Sequence, residues 1–387
     1  MPIKNRYAEL HSEITEWRRD FHSHPEILFE VHRTAARVAE LLRGFGCDEV
    51  VEGIGRTGVV GVIRGRSTKS SKVIGLRADM DALPIHEATG LDYASQTPGA
   101  MHACGHDGHT AMLLGAAKYL CETRAFDGTA VVVFQPAEEG GGGGLEMCRD
   151  GLMDRFGIQE IYGMHNMPGI PVGQFAIRPG ALLASSDEFE IVVTGKGGHA
   201  AAPHEAVDTT LVAAQILLSL QSIVSRNVNP LRRVVVTVGT FNTDSAASNV
   251  IAHEARMQGT VRTLDPEYRD FAETRVKAIA EGTATAHGAS AEVIWRRGYP
   301  ATINTPEQTG HAAEVARAIA GDVDDDVDPI MPAEDFSYML QERPGAYIFL
   351  GNGDTAMCHH PAYDFDDEAI PAGASWYSGM IEARMPL

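Results

Sequence analysis

The chain has 387 residues, 44% hydrophobic and 22% charged, and a formal net charge of −20 at pH 7. That length exceeds what one core usually sustains and predicts two domains, while the ordinary composition excludes a long disordered arm. The charge repels phosphate backbones and anionic bilayers, and no dense Lys/Arg stripe reverses it locally, so nucleic acid and membranes are excluded as partners.

In chain order, Tyr7, Leu10, Ile14, Trp17 and Phe21 recur at three- and four-residue steps and predict an amphipathic helix ended by His24-Pro25. A second helix runs through Val31, Ala35, Val38 and Leu42 and stops at Gly44 and Gly46. β-Branched runs then alternate with helical ones: strands at Val59–Ile63, Val73–Leu76, Ala130–Phe134 and Ile161–Met164, with helices at about His109–Leu120 and Leu145–Leu152. This is an α/β pattern with a mostly parallel central sheet.

Between residues 184 and 298 the order changes. Strand Phe189–Val193, helix Thr209–Ser225, strands Val234–Thr240 and Ile251–Val261, helix Asp265–Ala286 and strand Glu292–Trp295 give βαββαβ, the ferredoxin-like order. Pro266 after Asp265 marks a helix start. The reading is a catalytic α/β domain at 1–183 and 299–387 with an inserted domain at 184–298. The α/β pattern resumes with helices at His311–Ile319 and Asp335–Leu340, a strand at Tyr347–Leu350 and a C-terminal helix from about Glu368. The acidic run Asp322–Asp328 reads as a solvated loop.

Five cysteines, at 47, 104, 121, 148 and 358, are odd in number and lack Cys-x-x-Cys spacing, which argues against a disulfide framework or structural zinc knuckle. With charges at Lys4, Arg6 and Glu9, no apolar leader and no uncharged apolar span, a reducing cytoplasmic location is expected.

Ligands in open α/β sheets bind beyond the carboxyl ends of the strands. Metal-compatible groups accumulate there: Asp79 and Asp81 after Val73–Leu76, Glu138 and Glu139 after Ala130–Phe134, His165 after Ile161–Met164, and His359 and His360 after Tyr347–Leu350. Cys104 and His106 sit at a Gly-containing helix start, where a thiolate is favoured. Sulfur, imidazole and carboxylate together suit Zn²⁺, Mn²⁺, Co²⁺ or Ni²⁺ better than Ca²⁺ or Mg²⁺ alone. Taken singly, Cys104 also reads as a small buried hydrophobe, His106 as a core histidine and Glu138-Glu139 as a solvated turn. The glycine run Gly140–Gly144 is no phosphate cradle, because no Lys-Ser/Thr follows and two carboxylates precede it. It reads as close backbone approach.

The segments Arg77–Pro84, Met101–His109, Gln135–Gly144, Gly197-Gly198-His199-Ala200 with Pro203-His204, and His359-His360-Pro361 resemble the M20 metallopeptidase family. They are most similar to its amidohydrolase branch, which includes hippurate hydrolases, N-acyl-amino-acid amidohydrolases and auxin-conjugate hydrolases. The resemblance implies two divalent ions per subunit, Zn²⁺ or Mn²⁺ ahead of Co²⁺ or Ni²⁺. It implies Cys104, His106, Glu139, His165 and His359 as ligands, Glu138 as general base and Asp81 behind the ligands. It also implies that the inserted domain is a lid and dimerisation domain whose His199 stabilises the oxyanion. Asn249 and Arg262 would hold the polar end of the substrate. A homodimer or higher homo-oligomer is expected. Other branches carry a bridging carboxylate where Cys104 stands and a histidine where Asp79 stands. Pro332 precedes Ala333-Glu334-Asp335-Phe336 where the family often has glycine, and no role is assigned to that loop.

The expected activity is metal-dependent hydrolysis of an N-acyl amino acid to a carboxylic acid and a free amino acid. The alternatives are a carboxypeptidase or dipeptidase of the same family, a hydrolase using Cys104 as nucleophile with His106 or His109, and a non-catalytic binding module on a peptidase fold.

Overall fold

The computed structural model describes residues 5–387. The chain forms two compact units: a larger one up to Leu182 with Ile303–Asp328 and Asp335–Leu387, and a smaller one of Leu183–Thr302 with Pro329–Glu334.

The larger unit opens with α1 (Asn5–Ser23) and α2 (His32–Phe45). Tyr7, Leu10, Ile14, Trp17 and Phe21 of α1 are all buried, so the spacing that predicted this helix is its core-facing stripe. There follow β1 (Glu49–Ile54), β2 (Gly58–Arg64), β3 (Val73–Asp79), α3 (His106–Thr123), β4 (Thr129–Gln135), α4 (Gly143–Arg149), α5 (Leu152–Arg155), β5 (Glu160–Met167), β6 (Phe175–Ala176) and β7 (Gly180–Leu183). The smaller unit holds β8 (Ser185–Thr194), β9 (Gly198–His199), α6 (Thr209–Ser222), β10 (Val234–Thr243), β11 (Val250–Ile251), β12 (Glu254–Thr263), α7 (Pro266–Ala286) and β13 (Ser290–Arg297). After it come β14 (Thr302–Asn304), α8 (Pro306–Ala320), β15 (Val323–Asp324), α9 (Phe336–Glu342), β16 (Gly345–Gly351) and α10 (Ile370–Arg384).

In the larger unit eight strands run in the order β1-β2-β4-β3-β5-β16-β6-β15. The central four, β4, β3, β5 and β16, are mutually parallel and almost wholly buried, and antiparallel pairings enter only toward the edges. A sheet covered on both faces favours such continuous apolar strands. Helix α3 is buried at nearly every position from His106 to Ala117, as a helix enclosed on all sides must be.

The smaller unit is antiparallel, with strand order β10-β12-β8-β13, and its two helices cover a separate apolar core. In chain order this is βαββαβ, so the ferredoxin-like architecture expected of the inserted domain is present. Asp208 caps α6 by accepting from the amides of Thr210 and Leu211, and Asp265 caps α7 ahead of Pro266.

Some local expectations are corrected. The acidic run is not wholly loop: Val323–Asp324 pairs in parallel with β6, and the Ile177 amide donates to the Asp324 carbonyl at 2.8 Å. Backbone pairing at a sheet edge depends little on side-chain charge. The strand expected over Ile251–Val261 is interrupted, because the His253 amide is taken by the Asp244 carboxylate and Thr209 Oγ1 donates to the Ala252 carbonyl. Strand β1 and the two-residue strands were not foreseen.

Candidate metal centre

The four central parallel strands deliver their carboxyl ends side by side. Asp79 ends β3, Gln135 ends β4 and leads to Glu138 and Glu139, His165 lies near the end of β5, and β16 leads into the loop bearing His359. Register places Asp79 opposite Gln135 and His165 opposite Phe349.

Around this edge Cys104, His106 and His165 bring ligand atoms within 4.8 Å of one another, and so do Cys104, Glu139 and His359. Cys104 belongs to both groups. Glu138 joins His106 and Glu139 in a third. Every residue proposed from the sequence as a ligand or base is therefore brought to one place. Cys104 Sγ lies 3.4 Å from His165 Nε2, and His359 Nε2 lies 3.2 Å from Glu139 Oε1. The neighbouring His360 instead accepts the Ala362 amide on Nδ1.

Hydrogen bonds on the far side fix these groups. His106 Nδ1 donates to the Asp81 carbonyl at 2.8 Å and His165 Nδ1 to the Asn166 carbonyl at 2.5 Å, so each ring presents Nε2 to the pocket. The Asp81 carboxylate accepts the amides of both Glu138 (2.8 Å) and Glu139 (3.1 Å), holding the pair from behind. His109 is spent otherwise: Nδ1 donates to Asp79 at 2.6 Å, and Nε2 accepts the Asn166 amide at 2.9 Å. His102 is buried with no hydrogen-bond partner on either ring nitrogen, and burial holds it down to about 4 and neutral.

The backbone is constrained here too. Ala137, just before the two glutamates, and His359 both have positive φ, 53° and 68°, where a side chain is strained. The glycine run answers the geometry: Gly140 and Gly142 have positive φ, and a Cβ on Gly143 would lie 1.7 Å from the Pro136 carbonyl oxygen. Only glycine fits that turn.

These residues fit a divalent cation. His106 Nε2 is buried with no hydrogen-bond partner. Burial alone would push the His106 imidazolium down, yet the carboxylates of Asp79, Asp81 and Glu139 raise it to about 10. The pocket stabilises positive charge at that point, which a metal ion supplies as well as a proton does. The same geometry counts against Cys104 as nucleophile. Its thiol is pushed well above the usual range by the adjacent Cys358 thiol and by burial, and His109, one of the two bases considered for it, has both ring nitrogens engaged elsewhere.

In the smaller unit His199 and Asn249 line one open pocket of about 530 Å³, with Asp244 and His253 beside them. His199 sits on β9, opposite Val250 of β11. Arg262 is not in that lining. It is half-buried on β12, opposite Val235 and Ser186. The groups that sequence reasoning missed are Arg77 and Asp335, both buried beneath the centre. Arg77 stood inside a quoted motif; Asp335 stood in the Ala333–Phe336 loop, to which no role was assigned because Pro332 departs from the family pattern.

A family profile described as peptidase family M20/M25/M40 matches residues 75–383. The chain is 42% identical to a hippurate hydrolase of Campylobacter jejuni over 372 residues, covering 96% of each chain. It is 38% identical to thermostable carboxypeptidase 1 of Saccharolobus solfataricus, covering 96% of this chain and 95% of that one. Among solved structures it is similar to a dinuclear metal-binding peptidase of the M20 family from Bacillus subtilis, with a TM-score of 0.86, 34% identity and coverage of 98% and 99%. With this profile match, these identities and a clustered cysteine, histidine and carboxylate site on a two-domain α/β fold, the chain belongs to peptidase family M20/M25/M40 and is a metal-dependent hydrolase of amide bonds.

Proposed function

We propose that this enzyme hydrolyses N-acyl amino acids, of the hippurate or N-acetyl type, to a carboxylic acid and a free amino acid. The observation that carries the reading is the meeting of Cys104, His106, Glu139, His165 and His359 beside Glu138 at the ends of four parallel strands. The 42% identity to a hippurate hydrolase supports the substrate class.

Cys104, His106, Glu139, His165 and His359 hold two divalent ions, Zn²⁺ or Mn²⁺, with Cys104 common to the two donor groups. When bound, such ions polarise the amide carbonyl and lower the pKa of water. Glu138 takes the proton of the attacking water and carries it to the leaving amine. Glu139 is adjacent in an irregular segment whose amides Asp81 fixes, so the two side chains divide the work. His199 is assigned to the oxyanion, in its own or a partner subunit's site. Asn249 and Arg262 are assigned to the polar end of the substrate, the guanidinium fork of Arg262 suiting a carboxylate. A homodimer is supported by the edge strand β10 with Val235 and Phe241 exposed, and by Leu211 and Leu218 exposed on α6.

The identity to a carboxypeptidase favours one second reading, action as a carboxypeptidase or dipeptidase on peptide bonds. Metal analysis of the purified protein, joined to a screen of benzoyl-, acetyl- and indoleacetyl-amino acids against dipeptides, separates the two. The proposal expects N-acyl substrates to turn over faster, with loss on EDTA treatment and recovery with Mn²⁺ or Zn²⁺. Faster turnover of dipeptides overturns it.

A further inference from the structure

Asp335 stands at the N-terminal end of α9 yet does not cap its own helix. An aspartate there ordinarily accepts from the first turn's amides. Instead its carboxylate is directed at segments far away in sequence. Oδ1 accepts from Arg77 Nη2 at 3.1 Å and Gln135 Nε2 at 2.7 Å, and Oδ2 accepts the Gly144 amide at 2.8 Å. Its own amide donates to Glu138 Oε1 through a long hydrogen bond of 3.4 Å. The residue is fully buried.

Gln135 and Gly144 are the two ends of the segment that carries Glu138 and Glu139. Asp81 fixes that segment through the glutamate amides; Asp335 fixes its ends and touches the base itself. Arg77 sets a positive charge against Asp335 in a buried setting, and it also donates to Asp79 at 2.7 Å and, through Nε, to Gln135 Oε1 at 2.9 Å. The Gly144 contact is close on both sides, since a Cβ there would meet the Asp335 carbonyl oxygen at 2.8 Å and Cγ at 3.2 Å.

We infer that Asp335 is a positioning residue for the general base: it clamps residues 135–144 so that Glu138 meets the attacking water in one orientation. This rests on the assignment of Glu138 proposed above. An asparagine at 335 can still accept from Arg77 or Gln135 on its oxygen, but its NH₂ then confronts the Gly144 amide, donor against donor. That releases the loop without emptying the core. A methyl at Gly144 disturbs the same contact from the opposite side.

The test uses the metal-loaded enzyme with Asp335→Asn, Gly144→Ala and Glu138→Gln in parallel. The expected result for Asp335→Asn and Gly144→Ala is full metal content, KM within about twofold of the parent and kcat lower by about 10- to 100-fold. Hydrogen exchange in the peptide spanning residues 136–146 should accelerate by roughly tenfold, with the peptides of α3 unchanged. Parental kcat in either clamp variant, beside an inactive Glu138→Gln, overturns this inference alone. A loss that falls on KM, or one without faster exchange in that peptide, overturns it too. Parental turnover in Glu138→Gln overturns both this inference and the base assignment. If Asp335→Asn fails to fold, Gly144→Ala decides by the same criteria.

Discussion

Arg77 in the larger unit and Arg269 in the smaller are both fastened to buried carboxylates, but the remaining contacts of those carboxylates lead to different places. Arg77 pairs with Asp79 and Asp335, all with fully buried side chains. Asp79 goes on to His109 and the Asp335 carboxylate to Gly144 and Gln135, while the Asp335 amide donates to Glu138. Arg269 pairs with Asp187 at 2.5 Å, and Asp187 also accepts Trp295 Nε1 and the Gly298 amide. Those partners fasten α7 to β8 and to the end of β13, and they end in the ferredoxin-like fold. A buried ion pair is by itself weak evidence for stability or function, because desolvation offsets much of the attraction. What distinguishes the two is the destination of the remaining lone pairs.

The largest effect separates the paired glutamates within the larger unit. Glu138→Gln should keep its metal and lose turnover by about 10³-fold, the scale of a general base. Glu139→Ala should lose metal, and activity with it. Metal content by mass spectrometry beside kcat checks both, and equal metal and equal activity in the two variants would break the division of labour.

Next in size is the pair of arginines itself. Arg77→Met leaves two carboxylates buried without their cation and should cost roughly 3–5 kcal/mol. Turnover per folded molecule should fall as well, because Asp335 and Asp79 lose their anchor. Arg269→Met should cost less, about 2–3 kcal/mol, since Arg269 keeps 11% of its side chain in solvent and water can replace part of the pair. Its kcat per folded molecule should stay within about twofold. Chemical denaturation and active-site-normalised rates read both quantities, and a comparable kcat loss in the two variants would erase the contrast.

The sequence made one side of this contrast legible and hid the other. Strand ends followed at once by Asp79, Glu138-Glu139 and His165 could be read, because a parallel sheet sends all its carboxyl ends to one edge. The βαββαβ order could be read from alternating periodicities and from the helix start at Asp265-Pro266. Arg77 and Asp335 could not be joined, because 258 residues separate them and a side-chain pair leaves no periodic trace. Pro332 drew attention away from the loop that carries Asp335. The short strands at Phe175–Ala176 and Val323–Asp324 pair over two residues each, too short a run to leave a periodic pattern in the sequence. The separation of Arg262 from the His199–Asn249 pocket follows from its register on β12, which pattern reading does not fix.

The smallest effect concerns the opposite end of a strand that carries a candidate ligand. Glu160 begins β5, five residues before His165, and is held by Arg384 at 2.7 Å, Lys72 at 3.1 Å and the Tyr162 hydroxyl at 2.8 Å. Burial alone would raise its carboxyl, but Arg384, Tyr162 and Lys72 outweigh that and hold it down to about 2. A carboxylate whose pKa is lower in the folded chain stabilises it above the unfolded value, near 4.3, and that contribution disappears as pH falls from there toward 2. Glu160→Gln should therefore be less stable than the parent by on the order of 1–2 kcal/mol at pH 7, a figure reduced for partial solvent screening. The gap should close as pH falls below about 3. Urea denaturation of both proteins across pH 2–7 measures it, and a gap independent of pH would mean that packing rather than charge is lost. Turnover at pH 7 should be unchanged, because Glu160 lies at the amino end of β5, whereas every group assigned to metal or base lies at or beyond a carboxyl end. A matching drop in kcat would show that the sheet transmits strain along β5 to His165, and position on the strand would then no longer separate structural from functional ion pairs.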